Sequence, residues 1–196
     1  MNTFLGILAT IIAIVGYIPY FRNIFRGKTK PHAFSWFIWF LLTAIAFFAQ
    51  ISDNAGPGAW VTGFTAIICF VIFIFGLKQG EKNIVLTDWL SLFGALAALG
   101  LWAITNDPLL SVILISLIDA LGFVPTFRKS YFKPNEETAL TYVLSALKFA
   151  VGIAALDNVT LVTALYPASL ILMNGIFVIM VLARRQKLNG EIEHPF

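Results

Sequence analysis

The chain has 196 residues, of which 59% are hydrophobic and only 12% charged. A soluble domain is about a quarter charged, so this composition excludes an ordinary soluble fold and points to a membrane. The net charge of +3 comes from basic residues gathered in loops and needs no nucleic acid to account for it.

A helix that crosses a bilayer takes roughly 20 mostly apolar residues. The hydropathy pattern predicts seven such spans, at 4–22, 34–52, 59–78, 88–105, 109–128, 138–156 and 160–184. They leave no soluble domain. The first is read as a span rather than a signal peptide, because it has no basic leader and no small-residue cleavage site. Between the spans lie Gly27 and Pro31, Gly56-Pro57-Gly58, Gly80, Asn106-Asp107-Pro108 and Pro134-Asn135, all turn-forming residues. Trp36, Trp60, Trp89, Tyr142 and Tyr166 fall near predicted helix ends and are expected to anchor at the membrane interface.

Charge orients the seven spans. Of 13 Lys and Arg residues, all but Lys148 fall at Arg22–Lys30, Lys78 and Lys82, Arg128–Lys133, and Arg184–Lys187. These are alternate loops plus the C-terminal end. The other loops hold Asp53, Asp107 and Asp157. Short basic loops stay on the cytoplasmic side, so the expected topology in the cell membrane has the N-terminus outside and the C-terminus in the cytoplasm. The basic loops would also favour anionic lipid headgroups.

The chain also repeats. Displaced by 106 positions, Gly16-Tyr17-Ile18-Pro19-Tyr20-Phe21-Arg22 lies on Gly122-Phe123-Val124-Pro125-Thr126-Phe127-Arg128. The same displacement puts Ser35 on Thr141, Trp36 on Tyr142, Trp60 on Tyr166 and Lys78 on Arg184. The expected fold class is therefore all-α integral membrane: two parallel three-helix bundles joined by a linker helix. The boundaries read as 1–86, first bundle; 87–106, linker; 107–187, second bundle; and 188–196, cytoplasmic tail. Parallel repeats place a solute pathway at their interface near mid-membrane.

This plan, with Pro19 and Pro125 near the cytoplasmic ends of equivalent helices, resembles the SWEET and PQ-loop superfamily over essentially the whole chain. The resemblance extends to Tyr166-Pro167 and Asn174-Gly175 in the last helix. It implies a seven-helix carrier of sugars or amino acids, with Pro19 and Pro125 as hinges and Asn174 facing the solute. The chain departs from the family where Tyr20 and Thr126 replace the glutamine of the PQ motif, and where Ile68 stands opposite Asn174. Trp36-Phe37-Ile38-Trp39 resembles a tryptophan pair in vitamin carriers of similar architecture, and receptors that retrieve luminal proteins share the plan too.

Two ionisable residues interrupt the spans: Asp119 and Lys148. Counting helical rise from the basic loops puts both, with Asn174, about 13–15 Å into the membrane, near the middle of a core about 30 Å thick. Their counterparts in the first triplet are Ala13, Leu42 and Ile68. A charge at a span's centre costs ~2.5–3.5 kcal/mol, so the pair needs a reason. A solute site or proton relay is one, a structural Asp119–Lys148 ion pair another, and snorkelling a third. Asn174 can equally serve as interhelical glue. Ser116 and Ser145, three residues before Asp119 and Lys148, share their helix faces and either line the same cavity or bond back to their own helices.

Pro19 and Pro125 bend their helices, and Gly16 and Gly122 loosen the same turns. The pairs read as hinges between the triplets, with a static kink as the alternative. No phosphate loop, metal-spaced His or Cys set, or nucleophile triad is present. His32 in a loop and His194 in the tail are expected to lie far from any acid, and the single Cys69 admits no internal disulfide. The expectation is a non-enzymatic carrier of a small polar solute without cofactors. Protons as coupling ion and self-association stay open, and a peptide-binding receptor or scaffold is the alternative.

Overall fold

The computed structural model describes residues 1–104 and 108–193. Among them the chain is all-α, with seven helices and no strand. The helices are α1 (Asn2–Phe25), α2 (Ala33–Ser52), α3 (Trp60–Gln79), α4 (Leu86–Ile104), α5 (Pro108–Phe132), α6 (Ala139–Ala154) and α7 (Leu161–Glu193). Short 3-10 turns precede α3 (Gly56–Ala59) and α6 (Pro134–Glu136). The boundaries match the predicted spans closely, since a long apolar run bounded by Gly, Pro and Asn leaves few other choices. Asn106 and Asp107 of the predicted breaker and residue 105 at the end of the predicted fourth span lie outside the described residues, as does His194, while Pro108 opens α5.

Among the described residues four helices are long and apolar enough to cross a membrane: α1, α2, α3 with its leading 3-10 turn, and α7. Two differences from expectation concern length. Helix α6 has 16 residues, about 24 Å, shorter than the predicted 138–156 because the chain leaves the helix after Ala154. Helix α7 runs on through Glu193, beyond the predicted end of the span at 184, so residues 188–193 of the expected tail are helical.

The helices pack as a closed ring in the order α1, α3, α2, α5, α7, α6 and back to α1, while α4 lies outside against α5 and touches α2 lightly. Outward faces are apolar: α1 exposes Phe4, Ile11, Val15 and Ile18, and α5 exposes Ile113, Leu117 and Leu121. Inside lie two clusters. One is built from Ala13, Leu42, Ile115, Ile118, Phe149 and Leu170, and the other is aromatic and contains Tyr17, Tyr20, Trp36, Trp39, Phe123 and Tyr142.

The segments on either side of each crossing gather at two ends. At one end Asn2 Nδ2 donates to Asp157 Oδ1 (2.6 Å), and Thr160 Oγ1 donates to Asp53 Oδ2 (3.2 Å). At the other end meet all the basic segments. Lys30 pairs with Glu136 (2.8 Å), Lys133 with Glu81 (2.9 Å), Lys129 with Glu137 (2.6 Å), and Arg128 with Asp88 (2.6 Å). Arg185 Nη2 caps the carbonyls of Pro134 and Glu137. Lys129 is fully buried and also donates to the carbonyls of Lys30 and Glu136, so one ammonium holds two loops.

His32 is a correction. It is buried with its Nε2 3.3 Å from Asp88 Oδ2, so the acid that sequence distance seemed to deny it comes from α4. The contact is within ion-pair range but lacks hydrogen-bond alignment. Burial holds the imidazole pKa below its ordinary value in spite of the Asp88 carboxylate.

The ring closes at two tight crossings. A Cβ on Gly16 of α1 would lie 2.9 Å from Leu144 Cβ of α6, and one on Gly122 of α5 would lie 2.9 Å from Ile38 Cγ2 of α2. Leu144 and Ile38 are themselves 106 positions apart. Both glycines thus have a packing role that their reading as loosened turns did not include. Thr141 Oγ1 seals the first crossing with a 2.9 Å bond to the Gly16 carbonyl, one turn from Pro19. At the second, Thr126 Oγ1 donates to Ser35 Oγ (2.8 Å).

Two outcomes test this packing. Gly16→Ala should cost about 1–3 kcal/mol, since the neighbouring atom is a Cβ that cannot swing away. Gly175→Ala, with nothing within 4 Å, should be neutral or stabilising; thermal unfolding of the detergent-solubilised protein distinguishes them. Burial raises the Glu81 carboxyl, but its bonds with Lys133 and the Asn83 N–H more than reverse this and leave its pKa below the ordinary 4.5. Its stabilising contribution is therefore present above 4.5 and lost as pH falls through the lower folded value. Glu81→Gln should lower the melting temperature at pH 7, and the gap from wild type should close in acid.

Candidate functional site

At the junction of the two interior clusters the ring encloses a cavity with walls from six helices. Tyr17, Trp36, Trp39 and Tyr142 supply aromatic faces. Thr43, Thr65, Thr141, Ser145 and Asn174 supply polar groups, and Cys69 adds a thiol. Its volume is about 40 Å³, room for roughly three waters. Anything as large as an amino acid needs the helices to part.

Lys148 stands at the edge of this space, fully buried. Its Nζ donates to Tyr17 Oη (3.0 Å) and Thr65 Oγ1 (2.9 Å), both on the first triplet, and lies 4.5 Å from the Tyr17 ring centroid and 4.7 Å from that of Phe149. Two hydroxyls and two π faces partly replace the hydration the ammonium has lost, but no carboxylate does so among the described residues. The Asp119–Lys148 ion pair weighed above does not form. Asp119 is also completely buried, and neither carboxylate oxygen has a hydrogen-bond partner. It lies within electrostatic range of Tyr166 and Cys69, behind the cavity wall and not on it.

The other candidates divide. Ser145 lines the cavity beside the Tyr17 hydroxyl. Asn174 lines it too, with Nδ2 donating to the Leu170 carbonyl of its own helix at 2.7 Å. Ser116 bonds back to the Val112 carbonyl at 2.9 Å and takes no part in the wall. Pro19 and Pro125 lie inside unbroken helices, each three residues from a glycine crossing.

The interfacial reading of three aromatics is overturned. Trp36, Tyr142 and Tyr166 are 2–3% exposed and face the cavity, whereas Trp60 and Trp89 remain about half exposed. Near its ends a helix can turn an aromatic inward or outward, and these three fall on the ring's inner side. The indole nitrogens of Trp36 and Trp39 and the hydroxyls of Tyr20, Tyr142 and Tyr166 are buried without partners among the described residues. Such orphans are uncommon and costly, and here all but Tyr20 line one space. Tyr17 and Thr65, the partners of Lys148, were missed from sequence. The coincidence of Trp36 and Tyr142 under the 106-residue displacement was the available signal that aromatics here build an interior.

No family model, curated protein or solved structure matches the chain. Among the described residues no group of His, Cys, Asp or Glu could hold a metal ion.

An unpaired buried carboxylate is costly. Asp119→Asn should therefore unfold at the same temperature as wild type or higher. A large loss of stability in that variant would mean that Asp119 has a charged partner.

Proposed function

We propose that this protein is a multi-pass membrane carrier that moves a small polar solute by alternating access between two parallel triplets, α1–α3 and α5–α7, with α4 as linker. The N-terminus lies outside and the basic end in the cytoplasm, as the gathering of charged loops at one end supports. The packing order of the ring supports the repeat. Displacement by 106 residues exchanges α1 with α5, α2 with α6 and α3 with α7, and it carries each contact of the ring onto another. On this reading, and on the motifs around Pro19 and Pro125, the chain is kin to the SWEET and PQ-loop carriers.

One observation carries the function: Lys148, at the edge of the cavity, and Asp119, behind its wall, are of opposite sign and both buried, with no counter-charge for either among the described residues. A structural role would be served better by pairing them. A site that waits for a charged ligand is served by leaving both unpaired. A zwitterion such as an amino acid fits best, its carboxylate displacing hydroxyls from Lys148. A sugar or vitamin-like solute would use the hydroxyls and aromatic faces instead. The cavity, at about 40 Å³, is too small for such a solute, so binding requires the helices to part. The triplets would part by rocking about the crossings at Gly16 and Gly122, with bending at Pro19 and Pro125. Asp119 is then the group available for coupling to protons.

In proteoliposomes the wild type should show counterflow of a labelled amino acid, and Lys148→Ala and Asp119→Ala should reduce it to background while remaining folded. Normal transport by both variants would remove this site from the mechanism. Saturable binding of ligand with no counterflow would make the protein a receptor.

A further inference from the structure

Four of the twelve basic residues at the cytoplasmic end are neutralised by acidic side chains within the protein. Lys30, Lys129, Lys133 and Arg128 each hold an acidic side chain, and Arg184 stacks on the Tyr131 ring at 4.2 Å. Arg22 and Arg26 do not fit this pattern. They are exposed and make no ion pair or side-chain hydrogen bond among the described residues. Arg22 lies in the last turn of α1 and Arg26 directly follows the helix, and both line the same groove. They stand at the end of this open groove between α1 and α3, of about 580 Å³, whose walls are Ile14, Ile18, Phe21, Phe25, Phe64 and Ile68. An apolar trough thus runs up to two free guanidinium groups at the level where the basic loops begin.

The internal repeat sharpens the contrast. The counterpart of Arg22 is Arg128, whose guanidinium is held by both Asp88 oxygens, at 2.9 and 2.6 Å, from the linker helix α4. Among the described residues no further helix stands beside α1 as α4 stands beside α5: α1 packs on α3, α6 and the Gly56–Ala59 turn. The first triplet therefore has the arginine without the carboxylate.

We propose that the α1–α3 groove binds an anionic phospholipid, its phosphate on Arg22 and Arg26 and an acyl chain along the Ile14–Phe25 face. The inference rests on the membrane reading above. The lipid phosphate supplies to Arg22 the charge that Asp88 supplies to Arg128, and bidentate guanidinium–phosphate geometry favours arginine in this role. The joined apolar trough selects an amphiphile over free phosphate. Juxtamembrane cations favour anionic leaflets generally; two arginines at the mouth of a groove turn that diffuse attraction into a site.

Native mass spectrometry of the purified full chain, titrated with dioleoyl phosphatidylglycerol and dioleoyl phosphatidylcholine, tests this. The anionic lipid should bind preferentially. Arg22→Ala/Arg26→Ala should weaken it roughly thirtyfold, from the usual contribution of two surface cations. Lys28→Ala, exposed but off the groove, should leave it unchanged. Equal binding of both lipids, or undiminished phosphatidylglycerol binding by the double variant, would overturn the proposal. So would complete competition by inorganic phosphate, or a groove covered by a second copy and seen as an arginine-dependent dimer without bound lipid. Failure of the membrane reading looks different: the chain would then be recovered from cells without detergent. A chain that needs detergent yet shows no anionic preference defeats the lipid site alone.

Discussion

Two contacts of a glycine against a side chain close the ring, and the rest of the architecture depends on them. Where α1 crosses α6 and α5 crosses α2, one partner has only a hydrogen in place of a side chain, and Leu144 and Ile38 pack directly onto the glycine of the facing helix. Close approach of this kind maximises dispersion contacts where water cannot drive association. It brings Thr141 within reach of the Gly16 carbonyl and Thr126 within reach of Ser35. A bulkier residue at either crossing would push the triplets apart and open the space between them. The two contacts are related by the same displacement that relates the triplets, so the molecule is pinned at two equivalent points on either side of its central cavity.

Within that common frame the two triplets differ in chemistry. The first contributes Ala13 and Leu42 where the second contributes Asp119 and Lys148, and all four are buried. The first is nonetheless not inert, since the hydroxyls of Tyr17 and Thr65 carry the ammonium of Lys148. One triplet brings the charge and the other the dipoles that make its burial tolerable. Because those dipoles come from across the interface, separating the triplets would strip Lys148 of both hydrogen bonds at once.

Much of this was legible in the chain itself. Helix positions follow from apolar runs between Gly, Pro and Asn, and the common end of the basic loops follows from charge alternation. The burial of Asp119 and Lys148 inside the ring agrees with their place in the middle of apolar runs. Contacts between distant segments were not legible. No periodicity announces that Lys148 will meet Tyr17, 131 positions away, or that His32 will meet Asp88. The inward turn of Trp36, Tyr142 and Tyr166 was hidden for a related reason: an aromatic near a helix end satisfies either environment, and only the angular placement of neighbouring helices decides. Gly16 and Gly122 were visible as a matched pair, but their opposing residues, Leu144 and Ile38, emerge only when the helices are assembled.

Cys69 is the chain's single thiol. It is buried on α3 in the wall of the cavity, in electrostatic reach of both Lys148 and Asp119. Its sulfur is buried where the six helices meet. Under the carrier proposal it is reachable only from the space that opens between them. The rate at which a small alkylating reagent finds that sulfur would then report how often the ring parts, with no second cysteine to blur the signal.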